Sequence, residues 1–414
     1  MQRVRFSTVA ATIAIVMISA AAPSPLYPVY QRLWGFSSAM LTVVFAVYVG
    51  GLLLSLLTVG ALSDHVGRKP VAVTAVLMLA VSMLMFIVAN GTGMLLAARV
   101  VQGAGTGLAQ GTLSAALADL QPSRRTGSLT QTITQSGGLG AGVVISAVLV
   151  QYAPDPRFLV YEAIAAALIL LAVAVIIVVP ETSPRTGFTS RAHVARVLTP
   201  KISIPAEVRT PFLAGVPALI ATWSLAGLDL SLGSSIVSRD LGIGNVAAGG
   251  TLLAGFFFAA AIAAPRAGSS RWPVRLPLAY SLLGAGLILQ LAGALTGSAA
   301  VYTAGLAVAG AGFSTAYAGV LASVAHAPAA QRGRMFAAMF TISYLAYSVP
   351  ALIGGLAADT WGLRGTTAGY TAFVLAMVAL AATALRLQRR RDPGPAPAVT
   401  PWAQEPGTCH REMS

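Results

Sequence analysis

The chain has 414 residues, of which 56% are hydrophobic and only 9% charged, with a formal net charge of +14. That composition excludes an ordinary water-soluble globular protein, which needs far more polar surface to cover a core of this size. The single cysteine, Cys409, excludes an intramolecular disulfide and argues against a catalytic thiol.

A bilayer-crossing helix needs about 20 apolar residues, and such windows follow one another along almost the whole chain. They cover residues 6–30, 38–63, 71–90, 93–117, 127–152, 158–179, 211–236, 246–265, 276–295, 299–322, 335–357 and 365–385. The expected fold is an all-α membrane protein of twelve transmembrane helices. Arg3 and Arg5 before an apolar run ending in Ser19, Ala20, Ala21 and Ala22 resemble a signal peptide. Cleavage there would leave eleven spans and invert the fit of the charge pattern, so the segment is read as the first span.

Orientation follows from the basic residues. With a cytoplasmic N-terminus, 21 of the 26 Lys and Arg fall on inside segments, and only Arg32, Arg157, Arg239 and Arg364 fall outside. Both termini are therefore expected in the cytoplasm, with the chain multi-pass in the inner (plasma) membrane. The positive charge then lines a membrane surface, so anionic lipid headgroups rather than nucleic acid are its expected partners.

The longest loop, 181–209, is rich in proline and basic residues and separates a bundle at 1–180 from one at 210–387; a tail at 388–414 reads as disordered. An internal repeat supports the division. At an offset of 207, Gly103 and Gly105 of the fourth span fall on Gly310 and Gly312 of the tenth, and Arg125 falls on Arg332. Paired six-helix halves form a substrate site at the midplane and expose it alternately by rocking.

The loop after the second span reads Gly60-Ala-Leu-Ser-Asp64-His-Val-Gly67-Arg68-Lys69. It resembles the signature Gly-x-x-x-Asp-x-x-Gly-Arg-Lys of the major facilitator superfamily. Gly60 permits close helix approach, Gly67 supplies a turn, and Arg68 and Lys69 anchor the loop at the inner surface. The resemblance implies that Asp64 caps the eleventh helix in the outward-facing state and that Arg68 bridges it to Asp119. The alternative is that Arg68 and Lys69 are topology charges alone. At an offset of 201, Asp64 and Arg68 fall on Pro265 and Ser269, so the second half keeps only a remnant of the loop.

The fourth span contains Arg99-Val-Val-Gln102-Gly103-Ala-Gly105, which resembles a second motif of the family, Arg-x-x-Gln-Gly-x-Gly. Gly103, Gly107 and Gly111 recur every four residues and form a stripe for helix packing. Arg99 is the one basic residue within a span, and a charge at the bilayer centre costs about 2.5–3.5 kcal/mol even on the lenient insertion scale. It should face a polar cavity or a partner. The resemblance associates this arginine with proton coupling; hydrogen bonding to helix carbonyls is the structural alternative. The fifth span carries Gly137, Gly138, Gly140 and Gly142 of an antiporter-like stretch, with Val143 where the family has proline.

Among twelve acidic residues, Asp229 in the seventh span is the most informative. The seventh helix lines the central cavity in the family, and burial would favour the neutral acid, a form suited to carrying a proton. Merely hydrated, it would do neither. Glu162 reads as interfacial, and His65 and His326 read as spectators at span ends. Candidate cavity residues are Gln102, Gln110, Trp223, Phe313, Tyr317, Tyr344 and Tyr347, a set that suits a neutral, amphipathic or cationic compound.

No P-loop, zinc-type histidine pair, Ser-His-Asp arrangement or dinucleotide motif occurs in a credible context, so an enzyme, a cofactor and ATP-driven pumping are not expected. The resemblance, closest to the drug:proton antiporter branch, implies a monomeric secondary transporter that exports small amphipathic or drug-like molecules in exchange for protons. A sugar or metabolite uniporter or symporter is the alternative within transport. A non-transporting membrane sensor is the alternative outside it.

Overall fold

The computed structural model describes residues 1–59, 62–183, 187, 199, 204, 206–267, 272–325 and 332–391, and within these the chain is helical. The first span is Gln2–Ala21, continued after Ala22 and Pro23 by a short 3-10 turn, Ser24–Leu26, and by Tyr27–Trp34. The second to sixth spans are Ser38–Val59, Arg68–Ile87, Thr92–Leu120, Arg124–Tyr152 and Leu159–Val178. Ala206–Ser231 forms the seventh and is extended by Gly233–Arg239; Val246–Ala267, Trp272–Thr296 and Ala299–Ala325 form the eighth to tenth. The helical run Arg332–Arg391 holds the last two, because Gly362 breaks it with φ 72° and ψ 170°.

Ten stretches among the described residues are long and apolar enough to cross a membrane. Twelve spans result because the last of these stretches folds back at Gly362 and because Thr92–Leu120, too polar to be counted, packs among the others. Large apolar side chains such as Leu54, Leu170, Ile177 and Ile262 are exposed on the outside of the bundle, as lipid contact requires. The linker and the tail lie largely outside the described residues.

The internal repeat has a physical counterpart. A Cβ on Gly103 would meet the backbone oxygen of Tyr48 in the second span, and one on Gly310 would meet that of Phe256 in the eighth. Gly105 and Gly312 likewise sit close to the third and ninth spans, at Ala75 and Ala279. Each half therefore uses the same two glycines to bring its fourth helix against its second and third.

The halves meet along the second and eleventh spans and along the fifth and eighth. The end holding Gly67, Arg68 and Lys69 is termed here the basic end, and the other the far end. Six hydrogen bonds join described residues of the two halves, and each of the six lies toward the far end. Ser24 Oγ donates to the Leu230 carbonyl at 2.8 Å, and Ser234 Oγ donates to the Ser24 carbonyl at 3.3 Å. Both first and seventh spans are broken at this crossing, which frees those carbonyls to be shared across the interface. Gln151 Oε1 accepts from the Val246 amide at 2.8 Å, and Asn245 Nδ2 donates to Tyr152 Oη at 3.4 Å. The Asp359 carboxylate accepts from the Ser38 and Ala39 amides, each at 3.0 Å.

Candidate functional site

The centre of the bundle holds two sets of side chains, one from each half. In the first half Arg99 is 2% exposed. Its Nη1 donates to Gln102 Oε1 at 2.5 Å and to the Ala20 carbonyl at 3.5 Å; its Nη2 donates to Tyr27 Oη at 2.5 Å, and its Nε to the Val44 carbonyl at 3.4 Å. The guanidinium also lies 4.5 Å from the Tyr48 ring centroid. Gln102 Nε2 donates on to the Ser19 carbonyl at 2.7 Å, so the Arg99–Gln102 pair, one helical turn apart, is pinned to the first span. Gln110 is buried further along the same helix, and no hydrogen bond joins it to this network.

In the second half, Trp223 is the hub of an aromatic cluster. Its ring lies 5.8 Å from Phe313, 5.6 Å from Tyr317, 5.5 Å from Tyr344 and 5.6 Å from Tyr347. The five aromatic candidates therefore come together from the seventh, tenth and eleventh spans. Phe45 of the second span meets Tyr347 at 4.8 Å and joins the two sets across the midplane. Between them a gap of about 20 Å³ remains, lined in part by Tyr27, Tyr48, Arg99, Leu230 and Tyr347.

Asp229 does not join this lining. It is 1% exposed, neither carboxylate oxygen has a hydrogen-bond partner, and its electrostatic neighbours are Tyr302 and Tyr370 of the tenth and twelfth spans. Adjacent helix positions are separated by about 100°, so Leu230 faces the gap while Asp229 points into the second half. The expectation that Asp229 lines the central cavity is corrected; of the two settings weighed for it, burial and hydration, the structure has burial. Arg99, by contrast, makes the carbonyl contacts of the structural alternative and also borders the gap.

At the basic end, Gly67 has φ 108°, a conformation only glycine adopts readily, and precedes the third span. Arg68 is paired with Asp119 and donates to the Ala115 carbonyl at 3.2 Å. Gly60 and the Asp64 side chain lie outside the described residues, as does any contact of Asp64 with the eleventh helix. Lys69 is half-buried, and its amide faces a residue that sequence reasoning passed over: Glu181 Oε1 accepts from the Arg68 amide at 2.7 Å and the Lys69 amide at 3.4 Å. Glu181 thus caps the third helix from the start of the linker, an anion at the positive end of a helix dipole. Glu181→Gln is expected to cost about 0.5–1 kcal/mol, read as a lower thermal midpoint of the solubilised protein; an unchanged midpoint would dismiss the cap. Tyr27, Phe45 and Tyr48 were also passed over.

The comparisons with known proteins agree with this architecture. The sequence model of the Major Facilitator Superfamily matches residues 9–236, more than half of the chain. The chain belongs to that superfamily. It is a multi-pass membrane protein of that superfamily. The multidrug resistance protein MdtL of Klebsiella pneumoniae (strain 342) is 34% identical over 91 residues, which are 22% of this chain and 23% of the relative. MdtL of Citrobacter koseri is 28% identical over 267 residues, 62% of this chain and 65% of the relative. The aligned region thus spans less than two thirds of either relative. The crystal structure of the human organic anion transporter MFSD10 (TETRAN) superposes with a TM-score of 0.63 over 92% of this chain and 99% of that one, at 17% identity. At that identity the likeness concerns the fold alone.

Proposed function

We propose that this superfamily member is a secondary active exporter of small amphipathic compounds, coupled to protons and working by alternating access. The basic end is cytoplasmic in this reading, so the far end is the outer mouth. The observation that carries it is the closure at the far end: six hydrogen bonds between described residues join the outer ends of the two halves above a polar and aromatic centre. A central site closed off at one end, between two halves whose first and seventh spans are broken near that end, suits alternating access. The MdtL relatives are named as multidrug resistance proteins, which suits an exporter of drug-like compounds.

Asp229 is the proposed proton carrier. An unpaired carboxylate at this depth is accommodated only as the neutral acid, because an isolated charge in an apolar interior is far costlier. Water reaching it in another conformation would release the proton. In proteoliposomes, a set of fluorescent amphipathic dyes of each charge type should evoke a proton signal in the parent. Asp229→Asn should move dye while its proton signal falls to that of protein-free liposomes. Unchanged coupling in the variant would remove Asp229 from the mechanism. Dye movement without protons in the parent would favour the facilitative alternative, to which Val143 of the fifth span also points.

A further inference from the structure

The charge balance of the central site points to the class of compound it takes. Arg99 is a buried cation whose acceptors, the Gln102 amide, the Tyr27 hydroxyl and two main-chain carbonyls, are all neutral. Of the five guanidinium N–H groups, these contacts occupy four. No carboxylate among the described residues pairs with it. Glu162 is exposed on the sixth span, and Asp229 points away into the second half. Hydrogen bonds to neutral groups hold a guanidinium in place, yet they leave its charge uncompensated in a medium of low dielectric.

The opposite wall adds donors and no negative charge. The Trp223 Nε1–H is buried without an acceptor, and it belongs to the ring cluster that meets Phe45 through Tyr347. The site therefore offers one full positive charge, an unclaimed indole N–H and a surplus of flat apolar surface. A cationic compound would meet Arg99 as a like charge, with no acid in the lining to offset it.

We infer that the central site selects amphipathic organic anions: a carboxylate or similar oxyanion set on Arg99, with a planar apolar body against Tyr48, Phe45, Tyr347 and Trp223. This rests on the transport reading of the same pocket and narrows it, in place of the neutral or cationic compound expected from sequence. With the gap at about 20 Å³ in the outward-sealed state, the body of the compound is admitted when the halves part at the basic end. An inside-negative membrane potential then favours exit of the anion, which matches the proposed direction.

The test compares three probes with the same ring on the purified full chain: 2-naphthoate, 2-naphthamide and 2-naphthyltrimethylammonium. Calorimetric titration should give the carboxylate at least about tenfold tighter binding than the amide, the difference expected for charge-assisted hydrogen bonds over neutral ones, with the ammonium weakest. Arg99→Lys, which keeps the charge, should preserve the order carboxylate, amide, ammonium. Arg99→Gln should bring carboxylate and amide to the same affinity. A merely structural Arg99 would instead weaken all three probes together in both variants, and that result overturns the inference. Tighter binding of the ammonium, or equal affinity for all three in the parent, also overturns it while leaving the transport reading standing. Binding of none overturns both.

Discussion

Gly103→Val is expected to abolish folded protein and, with it, transport. A Cβ at this position would lie 2.1 Å from the Tyr48 carbonyl oxygen and 3.0 Å from the Leu52 amide nitrogen, both backbone atoms of the second span. One turn on, Gly107 stands in the same relation to the Leu52 carbonyl oxygen at 2.3 Å. The second and fourth helices thus touch backbone to backbone, the kind of approach that small residues permit in a membrane, where dispersion and close packing replace the hydrophobic drive. No side chain can rotate aside to relieve the clash, so the helices must separate. Overpacking of this kind typically costs about 1–3 kcal/mol even where side chains can adjust. Separation would also carry the Tyr48 ring from the Arg99 guanidinium, 4.5 Å away. Gly50→Ala, on the same second span with nothing within 4 Å of its added Cβ, should stay within about 0.5 kcal/mol of the parent. Gly310→Val, whose Cβ would meet the Phe256 carbonyl oxygen at 2.1 Å, should fail as Gly103→Val does. Monodisperse yield after gel filtration checks all three, and a normal yield for Gly103→Val would sink the argument.

Membrane spans are legible because lipid imposes a length and an apolarity that few other structures share. That Arg99 would be partnered was legible for the same reason: a charge in a span must find a polar cavity or a partner. Orientation was not. The second span is apolar all round, so nothing in its pattern says that Tyr48 and Phe45 look inward rather than toward lipid. Asp229 and Leu230 are neighbours in sequence, and the turn of the helix between them decides which reaches the central gap. Glu181 and Asp359 escaped notice because their partners are helix N-termini 113 and 321 residues away, fixed by tertiary packing alone.

Asp359 leads to the second large effect. It follows the eleventh span, and its two carboxylate oxygens accept from the Ser38 and Ala39 amides at the start of the second. Slight burial pushes its carboxyl up, but the Ala39 and Ser38 amides outweigh this and hold it below the usual carboxylate range. A depressed value means the contact is complete above the ordinary aspartate pKa of about 3.9 and is lost only as pH falls through the lower folded value. The contact is therefore no proton switch; whenever the proposed outer mouth is closed, it can form at any pH well above that range.

An exposed anion at a helix N-terminus is worth about 0.3–1 kcal/mol, so Asp359→Asn should shift the closed-to-open balance about two- to fivefold. A wedge goes further. A Cβ on Gly355 would lie 2.0 Å from Thr42 Oγ1 and 2.8 Å from Thr42 Cβ in the same seam, so the side chain of Gly355→Trp has no room while the mouth is closed. Spin labels placed at Asp155 and Thr296, exposed at the far ends of the two halves, with Cys409 replaced by serine, report the separation. The parent should show mainly the short distance, Asp359→Asn a mixture, and Gly355→Trp mainly the long one. Arrest in that long-distance state should also halt the proposed export, since a transporter held open on one side cannot complete its cycle. Short distances in Gly355→Trp would mean that the second and eleventh spans do not gate the mouth.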